Sequence, residues 1–328
     1  MRIRAVLKPV LLSLLLSACG AGNIDTALDV GSTSSEVTGS IPRPAEAVGT
    51  VAQETIQHVS EAGMTAIAEP EKLHTPALEQ VALLKAPQPE RRPESTSGKV
   101  YSQKFRDAHP INFGKVKPQH HAVHGVDVSR WQGDIDWNTL RRNGANFAFI
   151  KATDGVDHID PMFRKNWDGA DRAGIKRGAY HFFFWCRTAK DQAEWFIRNV
   201  PKVKGALPPV LDVEWNHQSS CKWKPSRAEI IEKMQVFLDR LERHYGQRPI
   251  IYTAPDFYED NLKGAFPNHP FWLRAVAEHP SQVYPGRKWV FWQYSGSGLS
   301  SGVEGRIDLN VFHGDESAWF RWLNQNAS

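Results

Sequence analysis

Two textures divide the chain. From residue 121 onward, short apolar runs alternate with amphipathic segments; before about residue 120 that alternation is missing. The apolar runs predict strands at "AVHGVDVS" (122–129), "FAFIKAT" (147–153), "RGAYHFFF" (177–184), "PPVLDVE" (208–214), "PIIYT" (249–253), "FWLRAV" (271–276), "WVFWQYS" (289–295) and "IDLNVF" (307–312). Helices are expected over "DWNTLRRNG", "PMFRKNWDGADRAG" and "TAKDQAEWFIRNV". The strongest helix signal is "SRAEIIEKMQVFLDRLERHYG", where Ser226 and Glu229 form a capping box and Gly246 marks the stop. Strand–helix alternation with about eight strands implies an α/β fold, a parallel (β/α) barrel. The last three strands have little helix between them, so the barrel is expected to be irregular.

The first third of the chain changes the picture. Residues 20 to about 120 are rich in Pro, Ala, Glu, Ser and Thr and hold no Trp. Such a composition reads as a disordered tether, with short helices near 51–63 and 76–85. At the very start, Arg2, Arg4 and Lys8 precede an apolar run from Val10 to Leu16, a secretory signal pattern too short to span a membrane. Leu16-Ser17-Ala18-Cys19 resembles the lipobox of bacterial lipoproteins. The resemblance implies cleavage before Cys19 and a lipid on its thiol. Gly20 in place of Asp then points to the outer membrane, facing the periplasm. The expected organisation is a signal peptide over 1–18, a lipid-anchored linker over 19–120 and the barrel over 121–328.

Charge and cysteines narrow the function. The formal net charge is +4, and the folded part has no dense Lys/Arg run, which argues against nucleic acid. Cys186 and Cys221 each follow a strand-like segment, so in an exported protein they are candidates for a disulfide; two free thiols are the alternative. No Cys/His pattern argues for zinc, and no cofactor is expected.

The segment "LPPVLDVEWN" (207–216) carries Asp212 and Glu214 on one side of an otherwise apolar strand. Burying charge is costly unless it is paired or used. In a barrel of this kind chemistry gathers at the C-terminal strand ends. Asp127 lies late in the first strand and Asp308 lies in the last, which neighbours the first on closure. Four acids are thus expected at one mouth. Trp131, Tyr180, Tyr252, Trp272, Trp292 and Tyr294 fall at strand ends nearby, as flat apolar faces with polar tips suited to sugar rings. Acids plus aromatics in a cleft suggest glycoside hydrolysis, which needs a carboxyl to protonate the leaving oxygen and an anion to support the cationic transition state. Glu214, with the longer arm and nearer the rim, takes the acid role.

At these residues a family resemblance emerges. "HGVDVSRWQGDIDW", "FAFIKATDG", "RGAYHFF", "PVLDVEW", "PIIYT" and "WQYS…GRIDLNVF" resemble glycoside hydrolase family 25, the Chalaropsis-type lysozymes, in the right order over about 121–315. The resemblance implies cleavage of the β-1,4 bond between N-acetylmuramic acid and N-acetylglucosamine in peptidoglycan. The chain is expected to act as a monomer. The resemblance also implies Glu214 as general acid, with Asp127, Asp212 and Asp308 as the remaining active-site acids. Asp212 either orients the substrate's acetamido group as nucleophile or serves a direct attack by water. The sequence departs from the family at "FWLRAVAEHP", which carries Arg274, and in the insert "NHQSSCKWKP" after Glu214.

Other signals are weaker. "GLSSG" (298–302) matches a nucleophile elbow, but strand-like sequence follows where a helix is required. His120, His121 and His124 sit at the tether junction and read as solvated. Asp127, Asp212 and Glu214 as a cation site lacks a phosphate-binding loop beside it. A glycan-binding lipoprotein of the same fold without turnover is the alternative to an enzyme.

Overall fold

The computed structural model describes residues 98–217 and 221–327. In chain order these form β1 (Arg106–Asp107), β2 (His124–Val128), α1 (Trp137–Arg142), β3 (Phe147–Asp154), β4 (His158–Ile159), α2 (Phe163–Arg172), β5 (Lys176–Phe182), α3 (Ala189–Asn199), β6 (Val210–Val213), α4 (Arg227–Tyr245), β7 (Ile250–Thr253), α5 (Pro255–Phe257), β8 (Phe271–Arg274), α6 (Pro280–Val283), β9 (Phe291–Leu299), β10 (Ile307–Phe312) and α7 (Glu316–Asn326). The expected signal peptide, Cys19 and the helices near 51–63 and 76–85 lie outside the described residues.

The sheet closes on itself in the order β9–β10–β2–β3–β5–β6–β7–β8, with β8 pairing β9. Neighbours from β2 round to β9 are parallel. β10 runs antiparallel to both β9 and β2, so the barrel is mixed rather than all-parallel. Loop length explains the correction. The 300–306 connection is too short for a crossover, which needs about a dozen residues, so β10 turns back as a hairpin.

Strand alternation sorts the core into two bodies. Inward residues, including Phe147, Phe149, Val210, Ile250, Trp272 and Phe291, fill the barrel. Trp319 and Leu323 of α7 close its floor, with Trp319 against Phe147 at 5.6 Å and Phe312 at 5.1 Å. Outward residues such as Val126, Ile150, Leu211, Ile251 and Leu273 pack under the helices. α4 starts at Ser226, whose side chain and that of Glu229 cap each other's backbone, and stops at Gly246 in the left-handed region, φ 73°. The α7 helix was not expected. Its cue is Asp315, which caps the helix at Ala318 N–H, followed by apolar residues four apart at 319 and 323.

The linker boundary at residue 120 also moves. Residues 98–120 lie on the barrel. β1 pairs antiparallel with the end of β9, Phe113 packs edge-on to Trp292 at 5.0 Å, and Tyr101 exchanges hydrogen bonds with the Asn146 side chain at 2.8 and 2.9 Å. The segment is polar and Pro-interrupted, so its few anchors, Tyr101, Phe105 and Phe113, give no periodic signal. Cys186 and Cys221 form a disulfide with Cα atoms 5.7 Å apart, at the loops that follow β5 and β6.

Candidate active site

The C-terminal ends of the parallel strands form a mouth lined by acids. Asp127 comes from the end of β2, Asp212 from β6, and Glu214 from the turn directly after it. Asp308 is near the start of β10, and because β10 runs backwards its start lies at the same rim. The register makes Asp308 the direct partner of Asp127. These acids act on the same two inner-face phenols. The buried Tyr180 phenol feels Asp127, Asp212 and Asp308, and the buried Tyr252 phenol feels Glu214, Asp212 and Asp127. Burial first and these carboxylates second push both phenols well above their ordinary range, so both stay protonated.

Asp127 is fixed by amides. Gln293 Nε2 donates to Asp127 Oδ1 at 2.9 Å and Asn310 Nδ2 donates to the same oxygen at 2.7 Å. Each amide is held in turn: Tyr252 Oη donates to Gln293 Oε1 at 2.8 Å, and Trp272 Nε1 donates to Asn310 Oδ1 at 2.8 Å. Five buried side chains thus form one connected network, which fixes the Asp127 rotamer.

Asp212 and Glu214 behave as a coupled pair. Both are buried, at 6 % and 2 % exposure, and their carboxyls share a hydrogen bond. Burial pushes the Asp212 carboxyl well above the usual carboxylate range, and the neighbouring Glu214 charge pushes it the same way. Two such groups lose their protons in two joint steps and hold one proton between them at pH values where isolated carboxylates hold none.

The structure revises the aromatic candidates. Tyr180 and Tyr252 line the inner face. Trp131 is half-buried in the turn after β2, with the Arg130 guanidinium 4.6 Å over its ring. Trp272 points inward too, but only 2 % is exposed and it stacks on Phe149 at 4.5 Å, so it is floor rather than a sugar platform. Trp292 and Tyr294 are corrected outright. They alternate with Gln293 on β9 and so face outward, where Trp292 donates to Ala275 O at 2.7 Å and packs on Phe113. Strand parity relative to Gln293 carried that information. Sequence reading missed Gln293 and Asn310 as site residues; polar side chains inside otherwise apolar strands were the signal. Ser300 leads from β9 into a turn with no helix after it, so the nucleophile-elbow geometry is not formed. Among the described residues no group of three or more His, Cys, Asp or Glu is arranged to hold a metal ion.

The model of "Glycosyl hydrolases family 25" matches residues 126–303. The chain belongs to this family. It is 33% identical over 213 residues to Lysozyme M1 of Streptomyces globisporus, covering 62% of this chain and 72% of that lysozyme. It is 30% identical over 202 residues to the N,O-diacetylmuramidase of Chalaropsis sp, covering 57% of this chain and 96% of that protein. The solved family 25 glycosyl hydrolase from Bacillus anthracis superposes with a TM-score of 0.60 at 41% identity, covering 66% of this chain and 98% of that one. As a family 25 member, the protein is a glycoside hydrolase of the lysozyme type, with peptidoglycan as substrate. The acid-lined mouth is where such chemistry can occur.

Proposed function

We propose that the enzyme cleaves the β-1,4 bond between N-acetylmuramic acid and N-acetylglucosamine, with Glu214 as general acid and Asp212 orienting the substrate's acetamido group. The observation that carries this reading is the buried Asp212–Glu214 pair, in which burial and mutual repulsion retain a proton. A glycosidic oxygen leaves as a neutral alcohol only if an acid protonates it, and the remaining anion supports the oxocarbenium-like transition state. Carboxyls in hydrogen-bond contact lie closer than the roughly 6.5–9.5 Å that admits a water between acid and base in inverting glycosidases. That proximity favours attack by the acetamido oxygen over direct attack by water. In this reading Asp127 and Asp308 supply further negative charge opposite the developing cation, and the tyrosine hydroxyls meet sugar hydroxyls.

Digestion of purified peptidoglycan tests the assignment. The full chain should release soluble muropeptides with new reducing ends at muramic acid, and Glu214→Gln should lose nearly all release. Undiminished cleavage by Glu214→Gln would overturn the acid assignment. Binding without release by the wild type would instead support a glycan-binding protein of the same fold.

The amino-terminal motif supports a lipid on Cys19 and an outer-membrane position facing the periplasm. Mass spectrometry of the membrane-fraction protein tests this. A diacylglyceryl adduct lost in Cys19→Ser is expected, and an unlipidated terminus would sink it.

A further inference from the structure

The mouth of the barrel contains an ion pair that the acid chemistry described above does not use. Lys151 lies on the inner face of β3, following Phe147 and Phe149 at alternate positions. Its ammonium contacts Asp154 Oδ2 at 2.7 Å, and the two side chains are only 8% and 9% exposed. Regular alternation would send Asp154 to the outer face with Ala148, Ile150 and Ala152. A bulge between Lys151 and Thr153 prevents this. Lys151 is in register with Tyr180, but Thr153 is already opposite His181 and Asp154 opposite Phe182. One extra residue therefore brings Asp154 onto the inner face beside Lys151. Phe182 is in turn the register partner of Asp212, and the Lys151 ammonium sits 5.4 Å from the Phe182 ring. The bulge thus aims a buried ammonium along the wall that carries Asp212.

A buried lysine next to the acids has an electrostatic consequence. Glu214 and Asp127 oppose the ionisation of Asp212, while Lys151 favours it. Arg274, the last residue of β8, acts on Tyr252 and Tyr284. Tyr180 and Tyr252 are protonated phenols, and Asp308 adds to the negative field felt by Tyr180. A structural ion pair has no need of a bulge or of this position. A pair at the solvent-exposed surface would be cheaper to solvate.

We propose that Lys151, held in place by Asp154, is a positioning residue that lets the buried Asp212–Glu214 pair give up its first proton and stand at a single negative charge under working conditions. The proposal rests on the reading of that pair as acid and orienting group. A doubly protonated pair has an acid but no anion to hold the acetamido group, and Lys151 shifts the balance away from that inactive state.

The test is the pH profile of kcat/KM on peptidoglycan for the full-length wild type, Lys151→Met, Lys151→Arg and Asp154→Asn. Lys151→Met should move the acidic limb up by about one pH unit or more. Lys151→Arg should return it most of the way, and Asp154→Asn should move it part of the way. An acidic limb that stays in place in Lys151→Met, with activity lowered evenly at every pH, would show a purely structural role and overturn the proposal. Carbon-13 NMR titration of the Asp212 and Glu214 carboxyls in wild type and Lys151→Met gives the same answer without turnover. An unchanged first proton loss there would sink the proposal even if the enzyme proves to act on another bond. If Lys151→Met fails to fold, the conservative Lys151→Arg and Asp154→Asn proteins carry the measurement. Identical titrations for both and wild type would count against the pair.

Discussion

Asp308 faces Asp127 directly across the antiparallel β10–β2 ladder. Like charges directly opposite are unfavourable in a sheet, so the arrangement survives through the groups around it. Gln293 and Asn310 both donate to Asp127 Oδ1. Asn310→Leu removes one donor and also strands the Trp272 indole N–H. Hydrogen bonds to charged groups are worth about 1.5–3 kcal/mol. The expected result is a fall in kcat of about tenfold to a hundredfold, with little change in KM, read by reducing-end release.

The Asp212–Glu214 pair costs stability. Asp212 has a folded-state pKa raised above its ordinary value of 3.8, so the native chain binds more protons than the unfolded chain above that pH. Stability is therefore lost as pH rises from near 4 toward the raised value. Asp212→Asn should be more stable than wild type at pH 7, with Tm up by about 2–4 °C for each kcal/mol, and the gain should vanish near pH 4. Equal melting curves at pH 7 would argue against a strained pair.

His124 and His181 titrate in the opposite sense. His124, expected to be solvated, is buried in β2, and burial lowers both from 6.5 to about 4, so the unfolded chain takes up protons that the native chain refuses. Their contribution is intact above pH 6.5 and is lost as pH falls from 6.5 to about 4, at about 1.4 kcal/mol per pH unit for each histidine. Urea unfolding across this window, in the Asp212→Asn protein so that the acid pair does not offset the slope, should show stability falling toward pH 4.

The disulfide stands one short loop from the acid. Cys221 is tied to the turn whose Trp185 Nε1 donates to Glu214 O at 2.8 Å and whose Trp185 N–H donates to Asn216 Oδ1 at 3.0 Å. A closed loop spanning 35 residues gives about 4 kcal/mol in the chain-entropy picture. Cys186→Ser with Cys221→Ser should lower the urea midpoint and also reduce kcat, because the backbone of Glu214 loses part of its anchorage. A lowered midpoint with unchanged kcat would separate the bridge from the site.

The two faces of β9 make a final contrast. Tyr252→Phe removes the donor to Gln293 and should lower kcat with small loss of stability, about 1 kcal/mol. Trp292→Ala empties an outward core position and should cost about 3–5 kcal/mol while leaving KM unchanged in the protein that remains folded. Chemical denaturation and kinetics on the same preparations check both.

Sequence pattern by itself determined the eight barrel strands, the helices α1 to α4, the cap and stop of α4, and the acids at positions 127, 212, 214 and 308. Each follows from local rules: alternation in strands, helical period, capping chemistry, and the cost of placing charge in an apolar run. Tertiary structure decided the rest. The short 300–306 connection turns β10 back, but only closure against β2 sets the register that places Asp308 opposite Asp127 at the rim. The outward course of Trp292 and Tyr294 and the inward turn of Asp154 depend on register, which a single bulge residue shifts by one. Residues 98–120 join the barrel through contacts with β9 and the 143–146 turn, far away in sequence. Side-chain direction along a strand is a parity, and parity is fixed only when the partner strand is in place.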